Sequence, residues 1–480
     1  RAAIRRVTSI ATPARLRMQV LAAYAVVLAG LTLFVSPPLG RVSSDRALNE
    51  IALNGYYTFW LALLGQDAPY EGLYATHPAS EVFPRLHRLL TERATDATSF
   101  VDGSTQRRID NAPPERRWNV VMVLEESLGS EFIGALYPRD RSLTPSFDSL
   151  ITEGTLLDNA FSTGNRTIRA LEATTASIPP LPGIAIVRRE QSKDLFTLPA
   201  LLRSLGYATM FVYGGRALFD GMGSYMRNNG MERVIEQSDY RNPSFTTAWG
   251  VADEAIFDKA MTQFDSLHAA RKPFYALVLS VSNHRPYTYP AGRIASDPNQ
   301  KRRENAVEYA DYSLGRFMRQ ARSHGWFDST LFVLMGDHGA RVYGAQEIPL
   351  ASYEVPILLY APKLIPAGTR VHTIASSMDM PPTILALLGA RYTSRWFGRD
   401  VLHLAPDEGR ALMTHNNEIA LMQRDTLAVL GLRGSSTLLR YDRAAKQQIP
   451  LTDAPRTLID DAIAYFDGAD KMYRGGKLRN

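Results

Sequence analysis

Past residue 118 the chain alternates between short, unbroken apolar runs and longer amphipathic stretches. Residues 119–124 (NVVMVL), 209–213, 274–281, 331–335 and 357–360 are apolar at nearly every position. Runs of that length without alternation suit strands buried on both faces. Between them lie stretches of helical character at residues 198–205, 252–269 and 307–323. Strand and helix in turn predict an α/β fold with a mainly parallel central sheet flanked by helices. No internal repeat or low-complexity segment interrupts the pattern.

The N-terminal pattern is different. Residues 18–35 (MQVLAAYAVVLAGLTLFV) carry no charged side chain over 18 positions, enough for a helix to cross a hydrocarbon core of ~30 Å. Arg1, Arg5, Arg6, Arg15 and Arg17 precede the run, and Pro37-Pro38 end it. The positive flank places the N-terminus in the cytoplasm and everything after Ser36 outside. A cleaved signal peptide is the rival reading, although its apolar core is usually shorter. Residues 48–64 are apolar on one side and rich in aromatics, including Tyr56, Tyr57, Phe59 and Trp60. They fit a helix lying in the membrane interface and, equally, a helix packed on the domain that follows. Residues 96–117 are polar and contain Pro113-Pro114. The expected organisation is therefore a cytoplasmic flank and transmembrane helix over 1–39, a juxtamembrane connector over 40–117 and an extracytoplasmic catalytic domain over 118–480.

Composition narrows the chemistry. The chain of 480 residues has no cysteine, which excludes disulfides, thiolate-bound zinc and a cysteine nucleophile. A formal charge of +6, with no block of Lys/Arg interleaved with aromatics, favours anionic surfaces such as lipid headgroups over nucleic acid.

In open α/β sheets, sites form past the carboxyl ends of strands. Glu125, Glu126 and Ser127 follow the first run, Asn283 and His284 follow residues 274–281, and Gly336, Asp337 and His338 follow residues 331–335. One acid after a strand is more often a helix cap than a ligand. Three such deliveries to one edge, in a chain with 9 histidines, suit a divalent cation with mixed oxygen and nitrogen ligands. Gly336 would let the backbone turn tightly beside them.

A second anchor is FSTGNRTIRALEATTASIPPLPG, residues 161–183. Its turn chemistry at Thr163-Gly164-Asn165 predicts a helix from about Thr167 to before Pro179-Pro180. Alone, Thr167 is most simply an N-cap. Beside a metal, a hydroxyl at a helix N-terminus is also a nucleophile in a place that favours anions, and Arg166 and Arg169 could hold a phosphate.

The order NVVMVLEES, GNRT, SNHRPYTYP and GDHG resembles the lipoteichoic acid synthase and phosphoglycerol transferase branch of the sulfatase-like alkaline phosphatase superfamily. GDHG is shared across the superfamily, whereas GNRT with SNHRPY is more discriminating. The resemblance covers roughly residues 118–400 and implies a sulfatase/alkaline-phosphatase-like fold behind a transmembrane helix. It implies one divalent metal ion, Mn²⁺ ahead of Zn²⁺ or Mg²⁺, held by Glu126, Thr167, Asp337 and His338. Thr167 would be the nucleophile and His284 would meet the substrate phosphate. Glu125 would face away or support the site from behind. Where this family often carries a Trp-x-Arg element for the headgroup, this chain has YGGRALFDGMGSYMRNNG. Arg216, Phe219 and Asp220 are the candidates there, and Arg166, beside Thr167, is the further candidate for binding substrate. Trp249 and Asp253 resemble a further family segment, yet a core tryptophan and a helix-surface aspartate would explain them too.

The implied reaction moves glycerol phosphate from phosphatidylglycerol, an anionic phospholipid, to an extracytoplasmic glycan or polyol polymer through a phosphothreonine. The implied setting is the bacterial inner membrane, with the catalytic domain facing the periplasm or the cell exterior. A phosphoethanolamine transferase acting on lipid A or glycan is the nearest alternative, but those relatives commonly carry disulfides. A sulfatase would need a formylglycine made within C/S-x-P-x-R, a motif the chain lacks; other phosphodiesterase or sulfatase-like hydrolysis stays open. A scaffold without catalysis would have no use for Glu126, Thr167, His284, Asp337 and His338 together.

Overall fold

The computed structural model describes residues 13–34, 42–43, 46–53, 55, 59, 70–91, 99–111, 115–340, 346–452 and 455–480. The chain divides into two compact units, Arg1–Leu64 with Tyr343–Gln346, and Gly65–Val342 with Glu347–Asn480.

In the first unit, helix α1 (Ala14–Phe34) runs for 21 residues, about 30 Å at the usual rise. Its stretch Ala14–Leu31 has a mean hydropathy of 1.4 and exposes its apolar side chains. It is long and apolar enough to cross a membrane, and it begins four residues earlier than the uncharged run, taking in Arg15 and Arg17. A short helix, Arg46–Ala52, follows. Most of the aromatic stretch 48–64, including Tyr56, Tyr57 and Trp60, lies outside the described residues.

The second unit is built on an eight-stranded sheet. Its strands are β1 (Asn119–Glu125), β2 (Thr155–Leu157), β3 (Ala208–Tyr213), β4 (Arg233–Ile235), β5 (Phe274–Leu279), β6 (Thr330–Gly336), β7 (Ile357–Tyr360) and β8 (Thr369–Val371). They stand in the order β8-β2-β7-β6-β1-β5-β3-β4. Strands β6, β1, β5, β3 and β4 are mutually parallel, with Met122 opposite Val333 on one side and Leu277 on the other. Every residue of β1, β3, β5, β6 and β7 is buried. That explains the unbroken apolar runs, since each large aliphatic side chain taken fully out of water contributes ~1.5–3 kcal/mol. β7 alone runs against its neighbours β6 and β2.

Helices cover the sheet: α3 (Pro145–Ile151), α4 (Thr167–Ala176), α5 (Leu198–Ser204), α6 (Asp253–Ala269) and α7 (Arg303–Ala321). α6 and α7 pack on each other through Phe257 and Phe317, stacked with centroids 4.8 Å apart. The Asp311 carboxylate of α7 accepts from the N–H groups of Ser146 and Phe147 at 2.8 Å each. It thereby satisfies donors left free in the first turn of α3.

The chain after Tyr360 carries a second sheet for which the hydrophobic pattern gave no assignment. It is a five-stranded antiparallel meander of β9 (Arg410–His415), β10 (Glu418–Gln423), β11 (Thr426–Leu430), β12 (Ser436–Asp442) and β13 (Gln447–Pro450). Its first two turns have two residues each, and open with Asn416 and Arg424 at φ 54°, as tight hairpins require.

The stretch 40–117 read as a connector is divided in the structure. Residues from Gly65 onward belong to the second unit. There α2 (Ala79–Leu90) packs along the final helix α8 (Thr457–Arg474). Arg85 pairs with Asp461 at 2.7 Å, and the His77 N–H donates to Asp467. Gly468 allows the close approach: a Cβ there would sit 2.4 Å from Leu86 Cδ1 and 3.1 Å from Val82 Cγ1. Gly468→Ala is expected to cost about 1–3 kcal/mol by overpacking, visible as a fall of a few degrees in Tm. An unchanged Tm would mean the two helices part without loss.

Candidate active site

Three parallel strands end at one edge of the sheet, and each delivers a polar side chain there. Past β1, Ser127 turns at φ 52° and fixes its neighbour: Ser127 Oγ donates to Glu126 Oε1 at 2.7 Å. The Glu126 N–H donates to Ser280 Oγ past β5 at 2.8 Å. Asn283 Nδ2 donates to the Glu126 carbonyl at 2.9 Å. Past β6, Asp337 Oδ1 accepts from the N–H groups of Ser127 and His338, both at 2.7 Å. Gly336 is needed for proximity rather than for a tight turn. A Cβ on it would lie 2.0 Å from the Leu128 carbonyl oxygen, so only glycine lets the ends of β6 and β1 approach this closely.

The potential ligand atoms of Glu126, Asp337 and His338 lie within 4.8 Å of one another, and all three residues are buried. His338 Nε2 is 3.6 Å from Asp337 Oδ2 and 4.0 Å from Glu126 Oε1. His338 Nδ1–H donates to the Gly339 carbonyl at 2.9 Å, which fixes the tautomer and leaves the Nε2 lone pair facing the carboxylates. Asp337 Oδ2 is buried with no hydrogen-bond partner among the described residues. Burial pushes the Asp337 carboxyl up to about 7; His338 opposes the rise and the Glu126 charge adds to it. A buried pair of carboxylates with one orphaned oxygen and a bare imidazole nitrogen is the donor set a divalent cation would complete.

Thr167 joins this group from α4. The helix N-cap is Arg166 rather than Thr167, and it makes no side-chain cap bond. Thr167 is the first helical residue, and its hydroxyl donates to Glu126 Oε2 at 3.3 Å. It thus sits both at the amino end of a ten-residue helix and against the carboxylate cluster, two settings that favour an anion and a nucleophile.

The residues flanking Thr167 part company. Arg169 turns inward, bonding Glu172 at 2.7 Å and the Gly183 carbonyl at 2.6 Å, and so braces the core instead of holding phosphate. Arg166 is half exposed and reaches Asp220 at 2.9 Å; Arg188, which the sequence pattern did not single out, approaches the other oxygen of Asp220 at 3.6 Å. Two guanidiniums thus share one carboxylate at the mouth of the site. Arg216 is exposed on the same loop and makes no ion pair among the described residues.

His284 follows Asn283 and is half buried, with Nδ1–H donating to the Arg285 carbonyl at 3.2 Å. Trp249 lies against it with ring centroids 3.7 Å apart, and Phe219 meets Trp249 edge-on at 5.4 Å. Trp249 is therefore a wall beside His284 and not a core residue. Asp253 is not on a helix surface either: it is fully buried and accepts from the N–H groups of Val281 and Ser282 at 2.8 and 3.1 Å. It locks the β5 exit, and burial pushes its carboxyl up to about 6.

Glu125 is not one of the three grouped ligand residues; it lines a cavity of about 10 Å³ together with Glu126, Asn283, Asp311 and Phe147. Burial, then the Asp253 charge, pushes its carboxyl well above the usual range; the Ser280 hydroxyl pulls the other way but lies outside hydrogen-bond geometry with either oxygen. Glu125→Gln is expected to leave metal affinity within a few-fold and to hold or raise Tm, because no partnered charge is lost. Glu126→Gln should lower metal affinity by at least ~100-fold. Titration calorimetry of both variants checks this, and the reverse ranking would assign the ligand role to Glu125.

The α/β fold with this site at its carboxyl edge is that of the alkaline phosphatase superfamily. A solved protein of that superfamily from Vibrio parahaemolyticus is similar over 85% of this chain and 99% of its own, with 33% identity and a TM-score of 0.78. A family model described as sulfatase matches residues 118–390, and the chain belongs to the sulfatase family. Among curated relatives, phosphoglycerol transferase I of Xanthomonas campestris is 26% identical over 62% of this chain and 44% of its own. Lipoteichoic acid synthase 2 of Bacillus subtilis is 28% identical over 56% of this chain and 45% of its own. The chain thus spans less than half the length of these relatives. A lipoteichoic acid synthase from Listeria monocytogenes shares the fold at a TM-score of 0.64 and 18% identity.

Proposed function

We propose that the chain transfers glycerol phosphate from phosphatidylglycerol to an extracytoplasmic glycan or polyol polymer at the inner membrane. The observation that supports it most is the Thr167 hydroxyl, at the start of α4 and 3.3 Å from Glu126 within the Glu126, Asp337 and His338 cluster. Relatives named phosphoglycerol transferase and lipoteichoic acid synthase supply the group transferred.

Glu126, Thr167, Asp337 and His338 would hold one divalent ion, Mn²⁺ first. When bound, such an ion neutralises phosphoryl charge and favours the Thr167 alkoxide. Thr167 Oγ attacks phosphorus in line with the diacylglycerol oxygen. The bond from phosphorus to that oxygen breaks, diacylglycerol leaves as the alcohol, and glycerol phosphate remains as an ester on Thr167. An acceptor hydroxyl then attacks the same phosphorus and frees Thr167. The first N–H groups of α4 face the phosphoryl oxygens. His284, oriented by Trp249, meets the substrate phosphate. Arg166, Arg216 and Asp220 border the headgroup, and the Arg166–Asp220 pair exchanges its partner for phosphate.

Intact-mass measurement of the full chain after incubation with phosphatidylglycerol and Mn²⁺ tests this reading. It should gain one glycerol phosphate on Thr167. A gain of ethanolamine phosphate from phosphatidylethanolamine instead would move the protein to the alternative transferase class. Release of soluble glycerol phosphate with no acceptor product would make it a hydrolase.

A further inference from the structure

Four large apolar side chains are exposed among the described residues of the second unit: Val101 at 47%, Leu218 at 87%, Phe219 at 45% and Ile449 at 37%. Scattered singly they would need no explanation. Leu218 and Phe219, however, are adjacent, Leu218 is much the most exposed, and they lie on the loop that carries Asp220 at the mouth of the site.

The loop is a fixed turn. The Phe219 N–H donates to the Arg216 carbonyl at 3.0 Å, the Gly221 N–H to the Leu218 carbonyl at 3.1 Å and the Gly223 N–H to the Ala217 carbonyl at 2.7 Å. The Ala217 N–H is held by Glu236 Oε2 at 2.8 Å. Asp220 and Gly221 take positive φ, 50° and 73°. Its two sides are tied to the site. Asp220 pairs with Arg166, next to Thr167, and Phe219 rests on Trp249, which covers His284. Phe219 therefore has a wall to form, whereas Leu218 stands 87% exposed at the rim of the neighbouring cleft.

The surroundings are cationic. A cleft of about 440 Å³ beside Leu218 is lined by Arg188, Lys193, Glu190 and Asp220. With Arg166 and Arg216, four exposed cations (Arg166, Arg188, Lys193, Arg216) stand against two acids (Glu190, Asp220). A rigid apolar tip ringed by net positive charge is complementary to an anionic bilayer surface, where the tip enters the headgroup layer and the cations stay among the lipid phosphates. Because the turn is already ordered, little conformational freedom is lost on docking.

We propose that the turn Arg216–Gly221 is a membrane-docking element, with Leu218 entering an anionic phospholipid leaflet beside the mouth of the site. The inference concerns placement on the bilayer and holds whatever group is transferred.

The chain has no cysteine, so Leu218→Cys in the full chain gives one thiol for an environment-sensitive fluorophore. The labelled chain is reconstituted in vesicles of phosphatidylglycerol with phosphatidylcholine, and in phosphatidylcholine alone. A blue shift, with quenching by lipids spin-labelled near the headgroup, is expected in the anionic vesicles only. The same fluorophore placed by Ile449→Cys should keep its aqueous emission in both. Identical emission at position 218 in the two vesicles would overturn the proposal. So would a shift that follows protein concentration instead of lipid charge, since that assigns the tip to a second copy. In parallel, Leu218→Ser should lower turnover of vesicle-borne donor about tenfold and leave turnover of a soluble glycerophosphodiester unchanged. Equal losses on both would make Leu218 part of the pocket and not a membrane contact.

Discussion

Thr167→Ala is expected to lower glycerol phosphate transfer by at least ~10⁴-fold, the scale seen when a covalent nucleophile is removed, while the chain stays folded. The side chain lost is small and partly exposed. Losing its hydrogen bond to Glu126 Oε2 leaves Glu126 still held by Ser127. Arg166 remains the N-cap. Unfolding midpoints should therefore match within ~1 kcal/mol, and the mass gain after exposure to phosphatidylglycerol should vanish. Thr167→Ser keeps the hydroxyl at the same helix terminus and should retain measurable turnover. Near-normal turnover by the alanine variant would rule out a threonine ester.

Stripped of metal, the chain should lose stability as pH rises from about 4 to about 7. Burial, against His338 and with the Glu126 charge, pushes Asp337 from its ordinary 3.8 to about 7. Unfolded, the carboxyl ionises near its ordinary value; folded, it keeps its proton through this window. The stability linked to it is thus fully present below the ordinary value and is lost as pH passes the folded value. The loss is roughly 4 kcal/mol, and Glu125, Asp253 and Asp311 act in the same direction. Saturating Mn²⁺ at pH 8 should reverse it, since a ligand at 1,000 times its Kd adds ~4 kcal/mol. Urea midpoints at pH 5 and pH 8, in chelator and in Mn²⁺, provide the measurement. A midpoint that rises with pH in chelator, or one that ignores Mn²⁺ at pH 8, would remove the cluster as a metal site.

The strands that were legible are those buried on both faces. Such burial demands apolar side chains at every position, so β1, β5 and β6 announced themselves, and their shared direction put Glu126, Asn283 and Asp337 on one edge. The reversal of β7 was not legible, because Ile357–Tyr360 is equally apolar in either direction. Nor was the antiparallel meander, where half-buried strands such as β12 and β13 mix exposed and buried positions without a clean period. At the site, strand ends and turn chemistry pointed to the Glu125-Glu126 pair, Thr167, Asp337 and His338, and the family resemblance singled out Glu126 of the pair. Spacing alone could not tell Arg166 from Arg169. Three residues apart, one as the N-cap and one in the first turn of α4, Arg166 reaches Asp220 and Arg169 a buried glutamate. Arg188 belongs to no motif and was found only through its shared carboxylate, Asp220.

The clasp between α2 and α8 bears on how the catalytic unit can be produced alone. A recombinant fragment begun at Trp118, where the family match starts, would discard α2 with Val82, Phe83 and Leu86. It would strip the cover from the face of α8 that α2 packs against, and leave Asp461 without Arg85. Such a fragment should aggregate or be cleared by proteolysis. One begun shortly before Tyr70 keeps both helices and should be soluble. Residues some 380 positions apart thus set the smallest expressible piece of this protein.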